Sequence, residues 1–139
     1  MFSGRDYAEK YGYRRSGLMK SAIIGMVLTL PLFILGCEIA AGPAPPLLAW
    51  YGFIVLEETY FRGLWQRAGT HLAGSLGAVF IPAALFGIYH LPLGFTPIQA
   101  LGVVLFGLLL GWLRKSTDNL FGPILLHSAL ATGMWFSSL

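Results

Sequence analysis

Long runs of apolar residues, separated by short polar or proline-rich connections, dominate the chain. Five such runs can be drawn, at about 21–41, 45–65, 72–90, 97–113 and 120–139. Each is close to the ~20 residues that a helix needs to cross a bilayer, although the fourth is short. Spanning β-strands are disfavoured, because the apolar residues are continuous and do not alternate with polar ones. The pattern predicts an all-α membrane protein, a bundle of about five transmembrane or re-entrant helices.

Composition supports one membrane domain. Of the 139 residues, 56% are hydrophobic and 11% are charged, whereas about a quarter of the residues are charged in soluble domains. The single cysteine, Cys37, has no partner for a disulfide and is expected to be a small buried apolar residue. We divide the chain into a basic cytoplasmic or interfacial segment, residues 1–20, and a helical membrane domain, residues 21–139.

Basic residues are placed asymmetrically, which predicts the orientation. Five lie in the first twenty positions and four follow the second and fourth runs, namely Arg5, Lys10, Arg14, Arg15, Lys20, Arg62, Arg67, Arg114 and Lys115. The alternate connections, 41–46 and 91–97, contain no Lys or Arg. By the positive-inside rule, we expect an integral protein of a bacterial cytoplasmic membrane with its N-terminus in the cytoplasm. Nucleic acid is not expected as a partner, because no soluble fold presents the basic patch.

Charged residues interrupt the second apolar run, PPLLAWYGFIVLEETYFRGLW, at or near membrane depth. Charge there is costly and is kept mostly where it has a function, so we expect a central polar site. On a helix, Glu58 and Arg62 share a face and can form an ion pair. This pairing leaves Glu57 available as a base. The alternative is a purely structural ion pair near the interface, with side chains that snorkel to water.

Two histidines in later runs are further candidates for chemistry. His90 ends the third run in FGIYH, and His127 lies in GPILLH in the fifth run. With a glutamate, they can polarise a water molecule or bind a divalent metal. Hydrogen bonding to a carbonyl group and axial ligation of a haem or another tetrapyrrole stay open as alternatives.

Three short motifs follow one another in the membrane runs: EETYFR at 57–62, FGIYH at 86–90 and LRKSTDNLFGPILLH at 113–127. They are similar to those of the CAAX-protease and bacteriocin-processing (CPBP, or ABI) family of intramembrane endopeptidases, and the resemblance covers residues 45–134. It implies a glutamate-dependent protease, without metal or cofactor, that acts on a membrane-associated peptide or protein. The implied catalytic residues are Glu57, His90 and His127, and the implied supporting residues are Glu58, Arg62 and Phe86. Glu57 and His90 would activate a water molecule, and His127 would stabilise the oxyanion.

The sequence departs from the family pattern in two ways. An asparagine usually follows the last histidine by four residues, but here the position is Ala131, which cannot donate a hydrogen bond. Ser128 or Thr132 are nearby hydroxyls on other faces of the helix. Many relatives also have additional N-terminal spans, so a partner would be needed to complete a smaller bundle. Both departures favour a rival interpretation, a non-catalytic pseudo-protease that serves as a structural or assembly subunit of a larger membrane complex.

The third run poses a geometric problem. A straight helix over 72–90 would rise about 27 Å and carry His90 far from Glu57 and His127. Either residues 67–77 lie along the interface with only a half-span beyond them, or Pro82 and the neighbouring glycines bend the helix into the site. We expect the first arrangement.

Overall fold

The computed structural model describes residues 4–39 and 46–138, and all regular secondary structure within these ranges is helical. The elements are α1 (Gly4–Lys10), α2 (Leu18–Glu38), α3 (Leu47–Glu58), a π-helical stretch (Thr59–Trp65), α4 (Gln66–His90), a short 3-10 helix (Leu91–Leu93), α5 (Pro97–Thr117) and α6 (Phe121–Ser137). Helices α2 to α6 form the bundle, so the predicted all-α fold is confirmed. The connection at 41–46 lies almost wholly outside the described residues.

Two helix pairs build the bundle, α2 against α6 and α4 against α5. A core of Leu110, Leu113 and Leu126 joins α5 to α6, and apolar side chains of α2 pack against it. Gly36 and Gly133 allow α2 and α6 to approach until their backbones touch, because a Cβ atom at either position would overlap a carbonyl oxygen of the other helix. Small residues therefore set the spacing of this pair, as is common between membrane helices.

Within the part of the chain that the structure describes, three helical segments are long and apolar enough to cross a membrane: residues 18–38, 47–93 and 97–117. On α2, large apolar side chains face outward, among them Met26, Val27 and Leu30, which are 61%, 70% and 65% exposed. A soluble protein rarely exposes such a continuous apolar face. The chain is therefore an integral membrane protein, and the exposed apolar face of α2 is in contact with lipid.

The second and third predicted runs are joined without a loop. The helical path from Leu47 continues through the π-helical stretch as far as Leu72, where α4 is broken by the non-helical residues Ala73 and Gly74. Gly74 has a φ of 64°, in the left-handed region that glycine adopts readily. This break separates a first part of α4, which extends α3, from a second part that starts at Ser75.

The structure joins elements of both arrangements expected for the third run. The part of α4 beyond the break, Ser75–His90, is about 24 Å long at 1.5 Å per residue, which is longer than a half-span. The chain is redirected at a glycine, Gly74, which precedes Pro82 by eight residues. The position of residues 67–77 along the interface and a bend at Pro82 stay predictions.

The fourth run is longer than predicted, because α5 continues through Arg114 and Lys115 to Thr117. Its start is fixed by a capping box, in which the Thr96 hydroxyl accepts from the backbone N–H of Gln99 while the Gln99 side chain accepts from the N–H of Thr96. Its end is marked by Asp118, which has a φ of 51°. The connection from α5 to α6 contacts the N-terminal segment: the N–H of Leu120 donates to the carbonyl of Gly12.

We call this region of the molecule the basic end. It comprises residues 10–20, 62–75 and 114–119, and polar contacts between these stretches hold it together. Arg14 forms an ion pair with Asp118, Lys20 donates to the carbonyl of Ser116 at 3.0 Å, and Lys115 donates to the carbonyl of Ser75 at 3.3 Å. Its predicted position on the cytoplasmic side stays a prediction.

Candidate active site

The centre of the bundle holds the ion pair that the spacing of Glu58 and Arg62 predicts. Nη1 of Arg62 donates to Oε1 of Glu58 at 3.0 Å, and both side chains are completely buried. Arg62 also lies over the ring of Phe86, with its Cζ atom 4.3 Å from the ring centroid. The positive charge is therefore held between a carboxylate and the negative face of an aromatic ring, which compensates part of its lost hydration.

Glu58 also binds His127. Nδ1 of His127 lies 2.8 Å from the same Oε1 atom, and with an ionised carboxylate this nitrogen must carry the hydrogen and donate. The bond fixes the ring, so Nε2 faces Glu57, whose Oε2 atom is 3.9 Å away. That separation is too long for a direct hydrogen bond. Oε2 of Glu58 is buried and has no hydrogen-bond partner among the described residues.

His90 joins this group through Phe86. Its Nδ1 atom lies 2.8 Å from the carbonyl oxygen of Phe86, so Nδ1 donates and Nε2 is left without the hydrogen in the neutral ring. The ring of Phe86 contacts both His90 and His127 edge to face, at centroid distances of 4.7 and 5.7 Å. All six residues singled out in the sequence thus meet in one cluster. The implied partnership of Glu57 with His90 is less direct than that of Glu57 with His127.

Aromatic side chains that the sequence did not single out surround the two histidines. His90 contacts Tyr89 and Phe95, and His127 contacts Phe106 at 5.7 Å between ring centroids. Phe61 lies against Phe86 at 5.0 Å. Apolar aromatic runs are common throughout this chain, so no signal in the sequence distinguished these rings. They give the two histidines a largely apolar, aromatic environment.

Two glycine carbonyls on α5 also belong to the site. Nη2 of Arg62 donates to the carbonyl of Gly107 at 3.5 Å, and Nε2 of Gln66 donates to that of Gly111 at 2.8 Å. A Cβ atom at Gly107 would also lie 3.2 Å from the Cα atom of Ala83, so this glycine keeps α4 and α5 close. Gly107 and Gly111 are four residues apart, as are Arg62 and Gln66, and this equal spacing is visible in the sequence.

The π-helical stretch begins directly after the glutamates, at Thr59, and includes Arg62. Such wider turns are rare and occur often at functional sites, because they shift the register of side chains along a helix. Here the register directs Arg62 inward, where it meets Glu58 and Gly107, and Gln66 toward Gly111.

Ala131 occupies α6 four residues after His127 and is only 3% exposed. The hydroxyl of Thr132 is already engaged by other groups. Thr132 donates to the carbonyl of Ser128 at 2.6 Å, and its oxygen lies 2.8 Å from the hydroxyl of Tyr51 on α3. Thr132 therefore links α3 to α6. Among the described residues, no group of three or more His, Cys, Asp and Glu side chains is arranged to hold a metal ion.

Comparison with known families decides the classification. The family model described as Type II CAAX prenyl endopeptidase Rce1-like matches residues 39–132, about two thirds of the chain. The chain belongs to this Rce1-like family. The resemblance that the three motifs indicate is thereby confirmed, and the match contains all six cluster residues. No curated protein and no solved structure matches the chain significantly. At the level of the Rce1-like family, the function is that of a CAAX-type intramembrane protease.

Proposed function

We propose that the chain is an intramembrane endopeptidase that cleaves a membrane-associated peptide or protein by means of a water molecule activated at Glu57. The observation that carries the proposal is the position of Oε2 of Glu57, 3.9 Å from Nε2 of His127. One water molecule can lie about 2.8 Å from both atoms when their separation is of this size. Glu57 is also the carboxylate that the Arg62 ion pair does not neutralise.

The reaction follows from the charges in the cluster. Glu57 accepts a proton from the water molecule, the resulting hydroxide attacks the peptide carbonyl carbon, and the proton passes to the leaving amine as the C–N bond breaks. The two carboxylates and one guanidinium carry one excess negative charge, which is balanced when one proton is shared between Glu57 and His127. A protonated His127 donates through Nε2, and this donor stabilises the oxyanion.

His90 is proposed to orient the same water molecule. With its Nδ1 hydrogen donated to the carbonyl of Phe86, Nε2 of the neutral ring is an acceptor. When Nε2 of His90 accepts a hydrogen bond from the water molecule, it orients the lone pair of the water oxygen for attack. The same nitrogen cannot stabilise an oxyanion, because it has no hydrogen to donate. His90 therefore acts on the nucleophile alone, whereas His127, which holds the water molecule together with Glu57 before the attack, donates to the oxyanion that the attack forms.

Mass spectrometry tests the proposal. We compare membrane proteins and released peptides from cells that carry the wild type, Glu57→Gln or Glu38→Gln. Glu38 is the matched control, since it is an exposed glutamate at the end of α2, away from the cluster. New protein termini are expected with the wild type and with Glu38→Gln and should be absent with Glu57→Gln. Termini that persist in Glu57→Gln would contradict the assignment of Glu57.

A second candidate is the non-catalytic subunit of a larger membrane complex. Ala131 favours it, because the family's usual donor is missing and Thr132 is already engaged with Tyr51 and Ser128. Under this function, no terminus depends on Glu57, and the wild type co-purifies with defined partners. The same proteomic experiment, followed by affinity purification, separates the two functions.

A further inference from the structure

A cavity of about 390 Å³ lies at the basic end, outside the cluster of glutamates and histidines. The N-terminal segment, the π-helical stretch with the start of α4, and the last turn of α5 each contribute to its wall. Neither the proposed reaction nor the family match gives this cavity a role. Arg62 borders both this cavity and the active site, but no glutamate or histidine of the active site lines the cavity.

Cations dominate the wall of the cavity. Six line it, namely Lys10, Arg14, Arg62, Arg67, Arg114 and Lys115, whereas the one acidic residue in the lining is Asp118. Asp118 already binds Arg14 and Arg114. Lys115 donates to the carbonyl and hydroxyl oxygens of Ser75, which are neutral. Arg62 is already neutralised by Glu58, so five cations of the wall remain beside one carboxylate. The positive charge in the wall therefore exceeds what Asp118 balances, and an anion in the cavity would complete the balance.

Two arginines of the wall also have unsatisfied buried donors. The Nε atoms of Arg62 and Arg114 are buried and have no hydrogen-bond partner among the described residues. Neighbouring atoms shield both Nε atoms from the cavity, so a ligand there binds other guanidinium groups of the wall. Arg14 and Arg67 are not buried, and guanidinium groups bind phosphate oxygens with charge-assisted and often bidentate hydrogen bonds.

Apolar side chains beside the cavity indicate the source of the phosphate. Leu64 and Leu76 are 44% and 71% exposed, and each directly follows a lining residue, Gly63 or Ser75. Leu72, which is 71% exposed, ends the helical segment that carries Arg67 and Thr70. Acyl chains can cover these leucines while a headgroup occupies the cavity. We propose that the cavity binds a phosphate-bearing anion, the headgroup of an anionic phospholipid.

Lipid titration of the purified full-length protein tests this inference. The protein is kept in a non-ionic detergent, and binding of fluorescent phosphatidylglycerol is measured, with phosphatidylcholine and inorganic phosphate as competitors. The variant Arg67→Gln/Lys115→Gln removes two cavity cations. The matched control, Arg15→Gln/Lys20→Gln, removes two basic residues from outside the cavity lining. Lys20 is a close match for Lys115, because both are exposed and donate to a serine carbonyl.

We expect phosphatidylglycerol to bind the wild type and the control with similar dissociation constants. The cavity variant should bind it at least about tenfold more weakly, the change produced by loss of one charge-assisted hydrogen bond. Phosphatidylcholine should compete poorly. If inorganic phosphate displaces the lipid fully at millimolar concentration and binds as tightly, the ligand is a free phosphate and the lipid assignment is overturned.

Two other outcomes would overturn the proposal as a whole. If both double variants bind phosphatidylglycerol equally more weakly than the wild type, binding is due to diffuse surface charge. If the wild type does not bind the lipid at all, the cavity is not a site for this ligand. Glu57→Gln is expected to bind phosphatidylglycerol like the wild type. The test is therefore separate from peptidase activity, and a failure of one proposal does not imply failure of the other.

Discussion

The carboxylate oxygen Oε1 of Glu58 lies 2.8 Å from Nδ1 of His127, a contact between residues 69 positions apart in the chain. It ties α3 to α6 in the centre of the bundle and decides which nitrogen of His127 faces Glu57. The two adjacent glutamates thereby acquire different surroundings. Glu58 binds Arg62 and His127, whereas Glu57 faces His127 across a gap that admits a reactant.

Glu58 and Glu57 should therefore differ in their effects on stability. We expect Glu58→Leu to destabilise the protein by about 3–5 kcal/mol, because it leaves Arg62 buried without its anion. Glu57→Gln should change stability little. The double variant Glu58→Leu/Arg62→Met should regain most of the loss, since it buries no unpaired charge. Thermal unfolding in detergent measures all three, and a double variant as unstable as Glu58→Leu would show that the ion pair is not the cause.

Ala131→Asn should restore activity if the missing donor limits the rate. A single oxyanion donor contributes about 100- to 1000-fold in well-studied hydrolases, so a gain of up to this size is expected. Ala129→Asn is the control, because Ala129 is also a buried alanine of α6 but lies on a different face from His127. The rate of release of the terminus that depends on Glu57 is the measurement. No gain, or an equal gain in the control, would show that Ala131 does not limit the rate.

Gly36→Ala should separate α2 from α6. Its Cβ atom would overlap the carbonyl oxygen of Leu130, and the helices must move apart to make room. Overpacking of this kind costs about 1–3 kcal/mol. Gly52→Ala is a control within α3, where an added Cβ meets nothing within 4 Å. Its thermal midpoint should be equal to or slightly above that of the wild type, and a similar loss in both variants would refute the role of the close contact.

Asp118 should make the stability of the basic end depend on pH. Partial burial alone would raise the pKa of Asp118, but hydrogen bonds and charges from Arg114 and Arg14 outweigh it and hold the pKa below its usual value. A carboxyl group with a lowered folded-state pKa stabilises the protein above its unfolded pKa of about 4 and loses this contribution as the pH falls through the folded value. The wild type should therefore be more stable than Asp118→Asn at pH 7.

The difference between these two proteins should shrink as the pH is lowered from about 4 toward 3. Asparagine is a suitable replacement, because it also tolerates the left-handed backbone of residue 118. Thermal midpoints at a series of pH values give the measurement. A difference that is constant from pH 7 to pH 3 would show that the ionised carboxylate is not responsible.

Much of the candidate site could be predicted from the sequence, because its parts are local. The spacing of Glu58 and Arg62 on one helix is enough for an ion pair, and the helical geometry needs no information from the rest of the chain. The three motifs also placed both histidines and Phe86 in the site before any helix packing was known. Long apolar runs determined the all-α membrane fold for an equally simple physical reason, the need to satisfy every backbone polar group within lipid.

Tertiary structure alone decided how these parts meet. Breaking α4 at Gly74 depends on a left-handed residue that no hydrophobic pattern reveals, and this break set the path to His90. The faces of α3, α5 and α6 that pack together decide two further features. One is the sharing of Glu58 between Arg62 and His127, and the other is the set of aromatic rings around the histidines. Apolarity runs all around these helices, so the sequence has no amphipathic stripe to orient them. Close contacts at glycines and hydrogen bonds between buried polar groups supply that orientation instead.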